Sequence, residues 1–463
     1  MSFPVDAALD AQARLGRIQR RTVLTLALAQ LFSGVGNGAA LAIGSLLAVE
    51  LSGNEELAGT STMALSLAGA LVALPLAGLA ARCGRRRALI SGLLLALLGA
   101  ALMVLAPILR SYLLVLAGSA LLGVGAAVNL QARFAAVDLA RPEHRGRDLS
   151  FVVWSITIGA VAGPNLIKPG AELALALSLP ETSGPFLFSM AGLAIGATLL
   201  FLGLRPDPLL VARSVAAGSA PAAASPTAHR GTPAPAPASA AAPDSALHRK
   251  LRGGSLGAGL AAVRRSPMAQ LGLVTVVGAH LVMVAVMSMT PVHLQELDHA
   301  SGLHHSEADT LALIGFTISL HIAGMYALSP AIGLLTDRLG RPRMIMIAQL
   351  VLLAAVGLAG IGHGDQLWVG VELAVLGVGW SAATIAGSTL LTESVSDEDR
   401  VLVQGVSDTC MGAAGALGAA LSGVALAFFG FAGLNLAAAL AAAVVLVFAV
   451  VEAARNRGSQ HRG

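Results

Sequence analysis

Twelve stretches of predominantly apolar residues run through the chain, beginning near Thr22, Leu57, Ala88, Leu113, Leu149, Pro185, Met268, Thr310, Met344, Leu367, Val401 and Gly430. Each is about twenty residues long, the length a helix needs to cross the hydrocarbon core of a bilayer. Backbone polar groups in lipid must be satisfied within the segment, so such runs are helical. The pattern predicts an all-α integral membrane protein with twelve transmembrane helices. Composition agrees: 56% of the 463 residues are hydrophobic, 12% are charged and mean hydropathy is +0.78, against about a quarter charged in soluble domains. Only 4% are aromatic, so the apolar mass is Ala, Leu, Val and Gly, small residues that let helices approach closely. The two cysteines, Cys83 and Cys410, have neither zinc nor paired-thiol spacing, and no disulfide is expected.

Lysine and arginine orient the chain. With both termini inside, all but three of the 29 fall on the inner side; Arg110 and Lys168 are outside and Arg133 lies within the fourth segment. That asymmetry predicts cytoplasmic N- and C-termini. The formal charge of +4 then describes a membrane face and calls for no nucleic-acid partner. The first segment follows Arg14, Arg17, Arg20 and Arg21 but is too long for a signal-peptide core, and is expected to be retained.

Between the sixth and seventh segments lies an Ala/Pro/Ser tract, SVAAGSAPAAASPTAHRGTPAPAPASAAAPDSA, with nothing to bury. The expected organisation is an N-terminal arm (1–21), a six-helix bundle (22–205), a largely disordered cytoplasmic linker (206–266), a second six-helix bundle (267–453) and a tail (454–463). The bundles repeat one another at an offset of about 250 residues, as in transporters built from two halves. LLGVG at Leu121–Gly125 answers VLGVG at Val375–Gly379, RGRDLS answers DEDRVL, and GLAARCGRRR answers GLLTDRLGRPR.

In that last pair, Gly333, Asp337, Arg338, Gly340 and Arg341 resemble the cytoplasmic loop motif of the major facilitator superfamily. The resemblance covers nearly the whole chain outside the linker. It implies a monomeric secondary transporter that alternates access around a site between its halves, with these five residues as a cytoplasmic gate. The other reading is that they are plain positive-inside charges. In the first half Ala81 stands where the acid belongs, so that latch is expected to be weaker or to use another acid. In the fifth segment GAVAGPNL, with Gly159, Gly163 and Pro164, is similar to the glycine–proline motif of drug–proton antiporters. Its final glycines are replaced by Leu166 and Ile167, and a packing kink is the alternative.

Ionisable residues inside spans are candidates for function. Arg133, with Gln131 and Asp138, lies in the fourth segment and Asp408 in the eleventh. Asp408 is a candidate proton-coupling site or a hydrated helix-start residue; Arg133 is a substrate contact or a structural partner of Asp138. Met283 and Met287 are four apart, hence on one helical face, and His321 and Met325 share the spacing. Two thioethers with an imidazole and a third thioether make a soft set suited to monovalent copper, although methionine is also a routine gap filler. The MxxxM and HxxxM stretches resemble the bacterial copper importers of the superfamily, which implies copper uptake across a bacterial inner membrane with Met283, Met287, His321 and Met325 touching the metal. Efflux of a hydrophobic or cationic organic compound, coupled to protons, is an equal expectation. Between the seventh and eighth segments, His293, His299, His304 and His305 with Glu296, Asp298, Glu307 and Asp309 form either a metal-collecting cluster or a solvated loop. No phosphate loop, HExxH or nucleophile elbow is found, so neither an enzyme nor a resident cofactor is expected.

Overall fold

The computed structural model describes residues 3–141, 145–218, 255–300, 306–362, 364–396 and 399–460. In chain order the α-helices are α1 (Phe3–Ser52), α2 (Thr60–Cys83), α3 (Arg85–Ile108), α4 (Tyr112–Ala135), α5 (Arg145–Asn165), α6 (Ile167–Ala176), α7 (Gly184–Gly203), α8 (Pro208–Gly218), α9 (Ser255–Arg264), α10 (Pro267–Ala300), α11 (Glu307–Tyr326), α12 (Ser329–Leu339), α13 (Arg341–Gly362), α14 (Gln366–Glu393) and α15 (Arg400–Gln460). Among the described residues, nine helical stretches are long and apolar enough to cross a membrane. One of them, Val403–Arg455, is 53 residues long and breaks at Gly430, whose φ of 67° and ψ of 179° are not helical, so it crosses twice. The first and fifth apolar segments lie in α1 and α5. The chain is an all-α membrane protein of twelve spans in two six-helix bundles.

Local chemistry sets the helix ends. Ser306 and Asp365 cap α11 and α14, their side chains accepting from Asp309 N and Leu367 N, which satisfies donors that a helix start leaves unpaired. At the tight turns between α2 and α3 and between α12 and α13, Gly84 (φ 89°) and Gly340 (φ 85°) adopt a backbone that glycine alone enters freely. The sequence repeat is therefore a repeat of turn geometry. The expected linker is ordered at its flanks, where α8 and α9 form; residues 219–254 lie outside the described part.

Within the first half α1 packs on α5 and α7, and α4 on α2 and α3; within the second, α10 packs on α14 and α15, and α14 on α11 and α13. The halves meet where α2 faces α15 and where α5 and α6 face α11. At the end away from the arginines this contact is tight. A Cβ at Gly315 would lie 2.1 Å from the Pro164 carbonyl oxygen, and one at Gly59 would lie 1.6 Å from the Ala419 carbonyl oxygen. Asn165 Nδ2 donates to Ser319 Oγ at 2.7 Å, Ser319 Oγ donates to the Val161 carbonyl at 2.9 Å, and Lys168 pairs with Asp309.

Candidate functional site

The one ion pair that joins the halves nearer the arginine-rich end, among the described residues, is Arg133 to Asp408: Nη2 of the fourth span lies 3.4 Å from Oδ2 of the eleventh. Both side chains are partly exposed, 32% and 46%. Two charged groups keep that exposure between bundles only where water reaches them. Asp138 belongs elsewhere. It accepts from Arg85 Nε at 2.9 Å and Nη2 at 3.3 Å, while Arg85 Nη1 reaches Gln131 Oε1 at 3.2 Å. The sequence left Arg133 between a role at the substrate and a tie to Asp138; the geometry gives it a partner across the interface.

Beside this pair the second half gathers the scarce aromatic residues. Trp380 Nε1 of α14 donates to His280 Nδ1 of α10 at 3.3 Å, and the Tyr326 ring of α11 meets Trp380 edge-on with centroids 6.2 Å apart. Tyr326 and Asp408 both lie within reach of the Arg133 charge, so the aromatic group and the inter-bundle charges are one neighbourhood. The chain holds only three Trp and two Tyr, and the other two Trp, Trp154 and Trp368, are exposed. Sequence reasoning passes over Trp380 and Tyr326, because each is a single residue in an apolar run. Their scarcity was the available signal.

Met283, Met287 and Met325 are buried in the continuous apolar core, at 4%, 6% and 8% exposure. His321 is fully buried. Its Nδ1 lies 2.7 Å from the Leu373 carbonyl, and since a carbonyl only accepts, Nδ1 carries the hydrogen. Nε2, then a lone-pair nitrogen, has no partner. Gly377 permits the approach: a Cβ there would be 2.4 Å from the His321 carbonyl oxygen.

The residues of the expected cytoplasmic gate meet within one half. Arg341 Nη2 lies 3.0 Å from Asp337 Oδ1 and 2.9 Å from Glu393 Oε1, tying α12, α13 and α14 together; Gly333 and Gly340 have open space around them, and Arg338 stands in the last turn of α12. In the first half, where Ala81 replaces the acid, Asp207 takes over the turn. Its carboxylate accepts from Arg86 N at 2.8 Å and Leu209 N at 3.0 Å, the starts of α3 and α8. In the fifth span, Gly159 brings α5 against α1, where a Cβ would be 1.9 Å from the Leu31 carbonyl oxygen. Gly163 and Pro164 are buried just before the break at Leu166.

The stretch expected as a histidine- and acid-rich loop is helical over most of its described part, with His293, Glu296, Asp298 and His299 in α10 and Asp309 in α11, and it is tied to the rest of the fold. His293 stacks on Phe431 with centroids 4.0 Å apart and lies 3.7 Å from Glu296, Asp298 accepts from Thr310, and Asp309 accepts from Ser306 and Lys168. The Asp309 hydrogen bond and charge hold the Lys168 ammonium above the usual lysine range. His299 is exposed; His304 and His305 lie outside the described residues, as does the Glu307 side chain. Among the described residues no three His, Cys, Asp or Glu come together to hold a metal.

The sequence profile of the Major Facilitator Superfamily matches residues 26–306 and 302–462. The chain belongs to the Major Facilitator Superfamily. It is similar to two uncharacterised MFS-type transporters of Bacillus subtilis strain 168, YddS (34% identical over 433 residues, 93% of this chain and 91% of that protein) and YdeG (31% over 420 residues, 90% and 89%). It is 26% identical over 401 residues to the riboflavin transporter RfnT of Brucella anthropi, 85% of each chain. Among solved structures the nucleoside transporter NupG, as its D323A mutant, superimposes with a TM-score of 0.68 at 16% identity, over 93% of this chain and 99% of that one, which shows the shared fold. As a member of this superfamily the chain is a secondary transporter and not an enzyme.

Proposed function

We propose that this transporter carries a small organic molecule with a flat aromatic ring, seated between the halves against Trp380, His280 and Tyr326, with Arg133 and Asp408 beside it. The observation that carries the reading is the convergence of two of the five Trp and Tyr, from different helices, near a partly exposed ion pair. Aromatic side chains offer a flat ring stacking worth about 0.5–1.5 kcal/mol per pair beyond simple burial, and a guanidinium offers donors to ring oxygens and nitrogens. The riboflavin transporter among its relatives moves a compound of this chemical kind. Efflux of a hydrophobic or cationic organic compound uses the same seat. The arginine distribution supports an inner-membrane location with both termini in the cytoplasm, and Arg133 with Asp408 is the pair that alternating access breaks and remakes. Uptake of radiolabelled riboflavin into vesicles with and without the chain tests the reading. Uptake that depends on the chain and falls at least tenfold in Trp380→Leu supports it, and equal uptake in both vesicle types refutes riboflavin as cargo.

A second reading, copper ion as cargo, is supported by His321. An imidazole whose Nδ1–H is anchored on a backbone carbonyl while Nε2 stays free is the arrangement metal-bound histidines adopt, and three thioethers share the same apolar core. Leucine copies methionine's volume at a packing cost below about 1.5 kcal/mol but cannot bind copper. Loss of chain-dependent copper accumulation in Met283→Leu with Met287→Leu, at normal abundance, would favour this reading over the first.

A further inference from the structure

Glu372 stands in the second turn of α14 within an apolar run, LWVGVELAVLG. Its side chain is fully buried, and neither carboxyl oxygen has a hydrogen-bond partner. None of the ion pairs among the described residues includes it. The polar group that faces it is the side chain of Asn435, on α15 beyond the Gly430 break. Asn435 is itself buried, its Nδ2 donates to the Phe431 carbonyl at 3.1 Å, and its Oδ1 has no donor. Two neighbouring side chains thus present three buried oxygen acceptors without a donor.

An ionised carboxylate in that setting would forfeit its hydration with the Asn435 amide beside it and no cation paired to it, a cost of several kcal/mol. One proton removes that cost, because the neutral acid carries no charge to desolvate and brings an O–H donor of its own to a site whose oxygens lack one. We propose that Glu372 is a buried proton-binding site of the C-terminal bundle, held as the carboxylic acid at neutral pH. The step is simple proton exchange: an O–H bond forms at a Glu372 oxygen when a proton arrives from water and breaks when it returns to water, with nothing oxidised or reduced.

The surroundings suit this role. On α11, His321 bonds the carbonyl of Leu373, the next residue to Glu372. On α10, His293 stacks on Phe431, whose carbonyl takes the Asn435 amide, and Glu296 beside it is exposed. The acid is therefore reached from the exposed end of α10 through a ring stack and an amide hydrogen bond. On α13 the buried polar residue is Gln349, which does not titrate. The charges of α12 and of the first half of α15, Asp337, Arg338 and Asp408, lie nearer the arginine-rich end, and Asp408 is already paired with Arg133. As the coupling residue of a transport cycle, Glu372 would rest on the function proposed above; as a proton site it is tested with no substrate.

The experiment is infrared spectroscopy of the full chain in liposomes at about pH 7. A protonated-carboxyl band is expected, shifted when the protein carries 13C-labelled glutamate, absent in Glu372→Gln and kept in Asp408→Asn. Should Glu372→Gln fail to fold, Glu372→Asp is expected to replace the glutamate band by one that the glutamate label no longer moves. A spectrum free of any label-sensitive protonated-carboxyl band, or one unchanged by Glu372→Gln, would overturn the proposal. Loss of the band on adding sodium at constant pH would also overturn it, by making the site a metal-cation site.

Discussion

The two halves share a frame and differ in what they carry. In the first, Arg85 bonds Asp138 at 2.9 Å; in the second, Arg341 bonds Glu393 at 2.9 Å. Gln19 bonds Asp148 at the start of the first half, and Arg265 bonds Asp399 at the start of the second. A Cβ at Gly123 would strike the Leu65 carbonyl oxygen at 2.1 Å, and one at Gly377 would strike that of His321 at 2.4 Å. Yet the residues in register with Glu372, Trp380, His321 and Tyr326 are Gly118, Ala126, Leu65 and Ala70. Repetition preserves the contacts that hold helices at fixed distances. At these four positions the ionisable and aromatic residues stand in the second bundle, and small or apolar ones stand in the first.

The largest effect should come from breaking the shared frame. Gly123→Leu and Gly377→Leu each push a side chain into a neighbouring backbone that cannot retreat, and overpacking of this kind costs about 1–3 kcal/mol or more. Both variants should lose monodisperse protein in detergent, to a similar degree. If only one did so, the two contacts would not be equivalent.

The next effect sharpens the difference in the two loop pairs. The side chains of Arg85 and Asp138 are 15% and 11% exposed, whereas those of Arg341 and Glu393 are 24% and 49% exposed. Removing one partner of a well-buried pair leaves an uncompensated charge and costs up to about 3 kcal/mol; a solvated pair is worth about 0–1 kcal/mol. Thermal unfolding should therefore place Arg85→Ala clearly below Arg341→Ala. Equal midpoints would show that Asp138 finds water as readily as Glu393.

Much of this was legible in the chain. The twelve apolar runs, the repeat and the loop motif follow from residue type and spacing, because lipid allows one backbone solution. Partner choice was not legible. Arg133 and Asp138 are close in sequence, but Asp138 turns to Arg85 and Arg133 to Asp408, an outcome set by how two distant helices face each other. Glu372 was missed because its single charge is diluted in an apolar window, and Asp207 because it follows the sixth segment while capping α3.

A smaller effect separates the aromatic group from the frame. Trp380→Phe keeps a ring but loses the hydrogen bond to His280, worth about 1 kcal/mol. Transport should fall several-fold with the fold intact, while Ala126→Leu, the matching position in the first half, should leave transport unchanged. The smallest effect is expected at Lys168, which pairs across the halves at an exposed position. Its ammonium is raised by Asp309, so the pair's contribution is complete below the ordinary lysine range and is lost only as pH rises through the raised value. Lys168→Gln should leave thermal stability unchanged at neutral pH, as checked by unfolding scans.

The central claim is that the second half's aromatic group receives the cargo. Thermal unfolding of the purified chain with an isoalloxazine-ring probe, and separately with monovalent copper, tests it most directly. The account predicts a midpoint raised by the flat-ring probe, lost in Trp380→Leu and kept in Ala126→Leu. A midpoint raised by copper alone, unaffected by Trp380→Leu and lost in Met283→Leu with Met287→Leu, would contradict it.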